Sequence, residues 1–231
     1  MHTDRRDFLR SMAAAAAAAP VLRAAEPQGK SADSLSAWKS ARVSPVSGDN
    51  HHSMHTYYLT SPESPDGKSV LFYTSVTANG HDGEIRVKDR STGKETVLVR
   101  GLSTEDAHRV ALQQWVSGGK RVAFHNVLKS GEWIVGVVDA DGNNERVLAR
   151  GRQLAFGQPT ADVVPLYGMH WNPGTHRDCE LANVSTGEIT TTSLTADGFK
   201  AKYPDWVKKT FADRPISIFF PTLSPDKIGR A

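Results

Sequence analysis

The sequence predicts an all-β fold, a β-propeller built of four-stranded antiparallel blades, and three observations carry that expectation. A turn, Ser64-Pro65-Asp66-Gly67-Lys68, feeds the apolar run Ser69-Val70-Leu71-Phe72. It returns as Ser117-Gly118-Gly119-Lys120 before Arg121-Val122-Ala123-Phe124, and again as Ser224-Pro225-Asp226-Lys227. A second turn, Ser91-Thr92-Gly93-Lys94, returns as Ala140-Asp141-Gly142-Asn143 and as Ser185-Thr186-Gly187-Glu188. The spacing is regular: Gly93 to Gly142 is 49 residues and Gly142 to Gly187 is 45. A period of about 45–50 residues, with room for four short strands, is the signature of propeller blades.

Taken in order, residues 1–25 read as a twin-arginine export signal. Asp4-Arg5-Arg6-Asp7-Phe8-Leu9-Arg10 precedes the alanine run Ala13–Ala19, and cleavage is expected near Ala24–Ala25. The apolar run is about half the length that a membrane-spanning helix needs, so no span is expected in the mature chain. The implied location is periplasmic or secreted. Residues 26–49 read as a polar linker with one strand around Ala41–Val43.

The first blade is expected over residues 50–100, with strands at His55–Thr60, Ser69–Thr74, Glu84–Asp89 and Glu95–Val99, each alternating β-branched or aromatic residues between turns. The second covers 101–150, with strands at His108–Gln114, Arg121–Asn126, Trp133–Asp139 and Glu145–Leu148. The third covers 151–195, with Gln153–Phe156, Val163–Tyr167, Cys179–Asn183 and Ile189–Thr192. Residues 197–212 break the pattern: Trp206, Thr210 and Phe211 have helical spacing, and Pro204 suits a helix start. A next blade begins at 216–231 with Ile216–Phe220. Three blades and a strand do not close a ring, and an open blade edge leaves backbone groups unpaired. The chain is therefore expected to be part of a longer propeller, with closure by self-association as the alternative.

Composition excludes several functions. Outside the first 25 residues there are 24 basic and 23 acidic residues, and no basic stripe with interleaved aromatics marks a nucleic-acid surface. Cys179 is the single cysteine, so no internal disulfide is possible, and its alternation with Leu181 predicts a small buried apolar side chain. No Gly-x-Ser-x-Gly elbow, phosphate loop or Cys-His pair is present. Most carboxylates sit in turns, where Asp66, Asp141 and Glu188 have a local role.

The histidines are distributed less evenly. Asn50-His51-His52-Ser53-Met54-His55 enters the innermost strand of the first blade, and His108-Arg109 enters that of the second. In a propeller these stretches share one channel mouth, so His51, His52, His55, His108 and Arg109 are candidates for binding a substrate. Imidazole is a base near working pH and the commonest metal ligand. His51-x-x-x-His55 falls in extended chain rather than on a helix, so its spacing does not single out a metal. His81 and His176, about two periods apart, read as repeat-structural histidines.

The run His52-Ser53-Met54-His55-Thr56-Tyr57-Tyr58, continuing through Pro65-Asp66-Gly67-Lys68-Ser69-Val70-Leu71-Phe72, resembles the opening blade of oligogalacturonate lyases, which are TolB-like seven-bladed propellers. Gly168-Met169-His170-Trp171-Asn172-Pro173-Gly174-Thr175-His176 is similar to a histidine-bearing hairpin near their active site. The resemblance implies β-elimination on pectin fragments, assisted by a manganese ion that holds the uronate carboxylate. His170 would then be the base, with Arg177 or Arg109 as carboxylate partner. The family's Gln-x-x-His-x-His metal run has no counterpart here, and Pro215–Phe220 carries no histidine. Without that metal the chain alone is expected to be inactive. The rival expectations are a non-catalytic propeller binding a carbohydrate or protein, and an accessory propeller of a peptidase.

Overall fold

The computed structural model describes residues 39–224 except 49, 56, 58, 104–110, 170 and 213. The chain divides into two units, at Ser44/Pro45. Of the first unit, residues 39–44 are described: a turn followed by exposed, irregular chain. The strand expected at Ala41–Val43 does not form, because no described neighbour supplies its ladder partners.

The described residues of the second unit form three four-stranded antiparallel sheets, each a meander in sequence order. The first holds β1 (His52–Met54), β2 (Ser69–Ser75), β3 (Gly83–Asp89) and β4 (Glu95–Leu102). In the second are β5 (Gln114–Val116), β6 (Arg121–Val127), β7 (Trp133–Asp139) and β8 (Arg146–Arg150). The third comprises β9 (Arg152–Leu154), β10 (Val163–Gly168), β11 (Glu180–Asn183) and β12 (Ile189–Thr191). These are three successive propeller blades, and they do not close into a ring over the described residues.

Blade-on-blade packing follows from strand alternation. Leu71, Tyr73, Ile85 and Val87 of blade 1 share one buried cluster with Trp115, Val122, Phe124 and Val138 of blade 2. The intervening residues Val116, Ala123, Val135 and Val137 point the other way, into a second cluster with Leu154, Phe156, Val164 and Leu166 of blade 3. Blade 2 is therefore covered on both faces. That explains why its strand Trp133-Ile134-Val135-Gly136-Val137-Val138 is continuously apolar, while Glu84-Ile85-Arg86-Val87-Lys88 alternates. Each fully buried aliphatic side chain contributes about 1.5–3 kcal/mol. Gln114 joins blades 2 and 3 directly: its Nε2 donates to Ala155 O and its Oε1 accepts from Gly157 N-H.

The two outer faces differ. On blade 1, Arg86 bridges Glu84 and Glu95, and Lys88 reaches Glu95 at 3.5 Å. On blade 3, Val163, Pro165, Cys179 and Leu181 line an apolar recess of about 590 Å³, shared with Phe199 and Leu223. Residues 216–223 form no strand. Thr222 makes an isolated parallel bridge to Phe156, and Gln158 Nε2 donates to Leu223 O. This is an inner-strand position beside blade 3.

The helical stretch is two short helices, α1 (Ala196–Ala201) and α2 (Asp205–Thr210). Thr195 caps α1 through Oγ1, which accepts from Gly198 N-H. Pro204 is the residue before α2, where its fixed φ ends one segment and its missing N-H costs nothing. Trp206 and Phe211, whose spacing pointed to the helix, are both exposed.

The inner strand of blade 1 is corrected as well. It is His52–Met54, not His55–Thr60, because its partners are Ser75, Thr74 and Tyr73 at the end of β2. Past Met54 the chain leaves the ladder, and Thr60 N-H closes a turn onto Tyr57 O. In blade 2 the inner strand is Gln114–Val116, and residues 108–110 lie outside the described residues.

Candidate functional site

The meander order fixes where the candidate residues fall. β1 and β9 begin opposite the last residues of β2 and β10, and the segment before β5 runs toward the end of β6, where His125 N-H donates to Ala111 O. The segments leading into the inner strands therefore sit at the same end of each sheet as the β2–β3, β6–β7 and β10–β11 connections. His51, His52, Trp171, His176 and Arg177 belong to these segments. The glycine turns at Gly93, Gly142 and Gly187, all with positive φ, lie at the opposite end.

His51 borders a small cleft of about 110 Å³ with Thr74, Ser75, Asp82, Glu84 and Arg86. His52 is exposed and pairs with Ser75 across the ladder. His55 is not gathered with them. Its Nε2 lies 2.9 Å from Thr60 Oγ1, and burial pushes its imidazole below the usual histidine range, opposed in part by the backbone of Thr60 and Leu71. Such a ring stays neutral at physiological pH.

His170, His108 and Arg109 lie outside the described residues. The described residues on either side of position 170 are hydrogen-bonded to one another. Gly168 N-H donates to His176 O at 3.0 Å, His176 N-H to Pro173 O at 2.9 Å, and Asn172 N-H to Met169 O at 3.0 Å. A Cβ on Gly168 would sit 2.3 Å from His176 O, so glycine is required for the loop to fold back this closely. His176 Nδ1 stands 3.8 Å from Glu180 Oε2, and Arg152 holds both oxygens of that carboxylate. This fork joins β9 to β11 across the intervening β10, at the base of the loop. Arg177 reaches Asp197 of α1 at 3.4 Å through both terminal nitrogens, and its carbonyl accepts from Ile218 N-H.

Sequence reasoning missed two sets of residues. One is a ladder of rings crossing from blade 2 to blade 3: His125 against Trp133, centroids 5.1 Å apart, and Trp133 against Trp171, 5.7 Å apart. The other is a set of buried glutamines, Gln113 just before β5 and Gln153 within β9. Gln113 Nε2 donates to Met54 O at 3.3 Å, tying blade 2 to blade 1, while Gln113 Oε1 and both amide atoms of Gln153 have no partner among the described residues. Amides in otherwise apolar strands were the available signal.

Among the described residues no three His, Cys, Asp or Glu side chains stand together as a ligand set. His51 and His55 face different surroundings and do not come together as a ligand pair.

No family model matches the chain, and no curated protein matches it. Solved structures do resemble it. A TolB-type protein from Agrobacterium tumefaciens is 21% identical over 56% of this chain and 46% of its own, with a TM-score of 0.41. An oligogalacturonate lyase from Vibrio parahaemolyticus is 11% identical over 63% and 42%, with a TM-score of 0.44. TolB from Acinetobacter baumannii is 14% identical over 63% and 33%, also at 0.44. The chain thus spans less than half the length of each. The blade assignment rests on the sheets and their packing. No helix among the described residues is long and apolar enough to cross a membrane.

Proposed function

We propose that this chain is an exported β-propeller directed at a carbohydrate, of the oligogalacturonate-lyase kind. The observation that carries the reading is the 168–178 loop. The stretch that resembles the lyase hairpin is a tightly bonded structure, leaning on blade 2 at the end of the sheets where the inner strands begin. The reaction is β-elimination. A base takes the proton on the carbon beside the uronate carboxylate, the electron pair forms a carbon–carbon double bond, and the glycosidic oxygen on the next carbon leaves. His170 is the proposed base, and Arg177 and Arg109 are the proposed carboxylate partners. His51, His52, His55 and His108 are proposed for substrate contact, although His55 would have to leave its contact with Thr60. Manganese belongs to this proposal through the family resemblance alone. Export through residues 1–25 to the periplasm completes it.

The test is the ultraviolet absorbance of unsaturated product when the full chain meets oligogalacturonate with manganese. His170→Ala should abolish that signal, and an unchanged rate removes His170 from the mechanism. A second reading, a propeller that binds a sugar or protein without turning it over, is favoured by Arg177 being engaged with Asp197 and by the scattered donors. Binding without absorbance change selects it.

A further inference from the structure

Both blade boundaries in this chain are made the same way. The second strand of a blade pairs with its own inner strand and lays alternate apolar side chains on the blade before it. β6 pairs with β5, and its Val122 and Phe124 join Leu71 and Val87, which are ladder partners in blade 1. β10 pairs with β9, and its Val164 and Leu166 join Ala123 and Val137, ladder partners in blade 2. Pro165 and Leu181 are the ladder partners at the corresponding place in blade 3. Among the described residues no strand covers them, and they floor the apolar recess of about 590 Å³.

One wall of that recess is the segment in the inner-strand position, through Ile218, Pro221, Thr222 and Leu223. Phe156 N-H donates to Pro221 O and Leu223 N-H to Phe156 O, so one edge of this segment is engaged by blade 3. In extended chain the backbone groups of successive residues point to opposite edges. The N-H and C=O of Thr222 therefore point away from Phe156, and neither has a partner among the described residues. Thr222 itself is exposed. An apolar sheet floor thus lies beside a free strand edge. Blade 1 shows what fills the same combination. There Pro62, two residues before Ser64 as Thr222 is two before Ser224, accepts from Leu71 N-H, and Ser64 N-H donates to Ser69 O.

We infer that the recess is an acceptor groove for an extended strand of a partner polypeptide, which pairs with the edge at Thr222 and lays alternate apolar side chains on Pro165 and Leu181. Strand addition takes its affinity from main-chain hydrogen bonds and its selectivity from the alternate side chains. A lipid or an apolar small molecule would cover the floor and leave the Thr222 groups unpaired. A second copy of this chain stacked head to tail does not fit either. It would bring the open face of blade 1, where Arg86 and Lys88 stand opposite Phe72 and Val70, and burying those charges is costly. The groove is independent of the carbohydrate reading.

The probe is a fluorophore-bearing synthetic peptide with the sequence of β6, Arg121–Val127, the strand that covers blade 1. Titrated with the full chain and followed by fluorescence anisotropy, it should bind. The same peptide carrying Val122→Asp and Phe124→Asp should bind about tenfold more weakly or worse. Leu181→Asp in the full chain should weaken the original peptide by a similar factor while leaving circular dichroism unchanged, and Trp206→Ala, on α2, should have no effect. Backbone pairing is read with two peptides N-methylated on alternate amides, one in each frame: one frame should lose binding and the other keep it. Should Leu181→Asp fail to fold, the aspartate-bearing peptide and the N-methylated pair decide the matter. The groove is refuted if the original peptide does not bind, if folded Leu181→Asp binds it equally, or if both N-methylated frames behave alike. If the unaltered chain sediments as a dimer that the peptide leaves intact, and Leu181→Asp as a monomer, the occupant is a second copy and the partner strand is overturned.

Discussion

The tightest test of the blade packing is one methyl group at Gly136. This residue sits in the middle of β7 opposite Phe124, and an added Cβ would lie 2.5 Å from the ring's Cζ and 2.9 Å from both Cε atoms. Phe124 is itself 1% exposed in the cluster between blades 1 and 2, so its ring has little room to retreat. Overpacking of this kind costs about 1–3 kcal/mol. The backbone at Gly136 is not in the left-handed region, so alanine there would otherwise stabilise by about 0.4–1 kcal/mol through the unfolded chain. The net expectation for Gly136→Ala is a loss of about 1–2 kcal/mol. In a Phe124→Leu background the clash is gone and the same change should become neutral or stabilising. Urea unfolding followed by far-ultraviolet circular dichroism, on all four corners of the cycle, measures the coupling. Additive effects, or a stabilising Gly136→Ala in the unaltered chain, would refute the proposed contact between ring and strand.

Three further outcomes follow from buried or turn-forming groups. Tyr73 donates to Gly80 O, and burial pushes its phenol up to about 12. Stability should decline as pH rises from about 10, where the unfolded chain ionises first, and level off above about 12. Tyr73→Phe should remove that leg and cost about 1 kcal/mol at neutral pH, read by thermal unfolding across pH. The lowered His55 pKa makes the unfolded chain the better proton acceptor below about pH 6.5. His55→Gln should flatten the acid side of the same profile, and an unchanged profile would show that His55 is not the group responsible. Asp89 Oδ1 accepts from the N-H and hydroxyl of both Ser91 and Thr92, led by the Ser91 hydroxyl, and its carboxyl is lowered to about 2. The stability this brings is present above about pH 3.8 and lost as pH falls toward 2. Asp89→Ala should lower the melting temperature at pH 7, whereas Asp89→Asn should keep most of it, because Asn183 Oδ1 makes the corresponding two backbone contacts in blade 3.

The rhythm of the blades was legible because each turn that joins an outer pair of strands has its own chemistry. An Asx side chain and a glycine recur there, and the strands between are long enough to show a period. The first inner strand was not legible. Three residues carry almost no pattern, and their register is set by Tyr73, Thr74 and Ser75 rather than by anything local. The same holds for the site. Repeat position alone puts His51 and His52 at the end of the sheets where the inner strands begin. It could not show that His55 turns away to Thr60, that Arg177 meets Asp197, or that Trp133 and Trp171 stack across a blade boundary. Those outcomes depend on loop paths and on side chains brought together from different blades.

The unlike outer faces give the stack a polarity. Blade 1 has its own glutamates and cations to satisfy one another in water, whereas among the described residues the recess beside Leu181 is lined by no charged side chain. Pro165, Cys179 and Leu181 correspond in register to Leu71, Ile85 and Val87, which blade 2 covers in the first interface. A solvatochromic hydrophobic dye should therefore label one end of the molecule and ignore the other, and sticking between molecules in concentrated solution should begin at that same end.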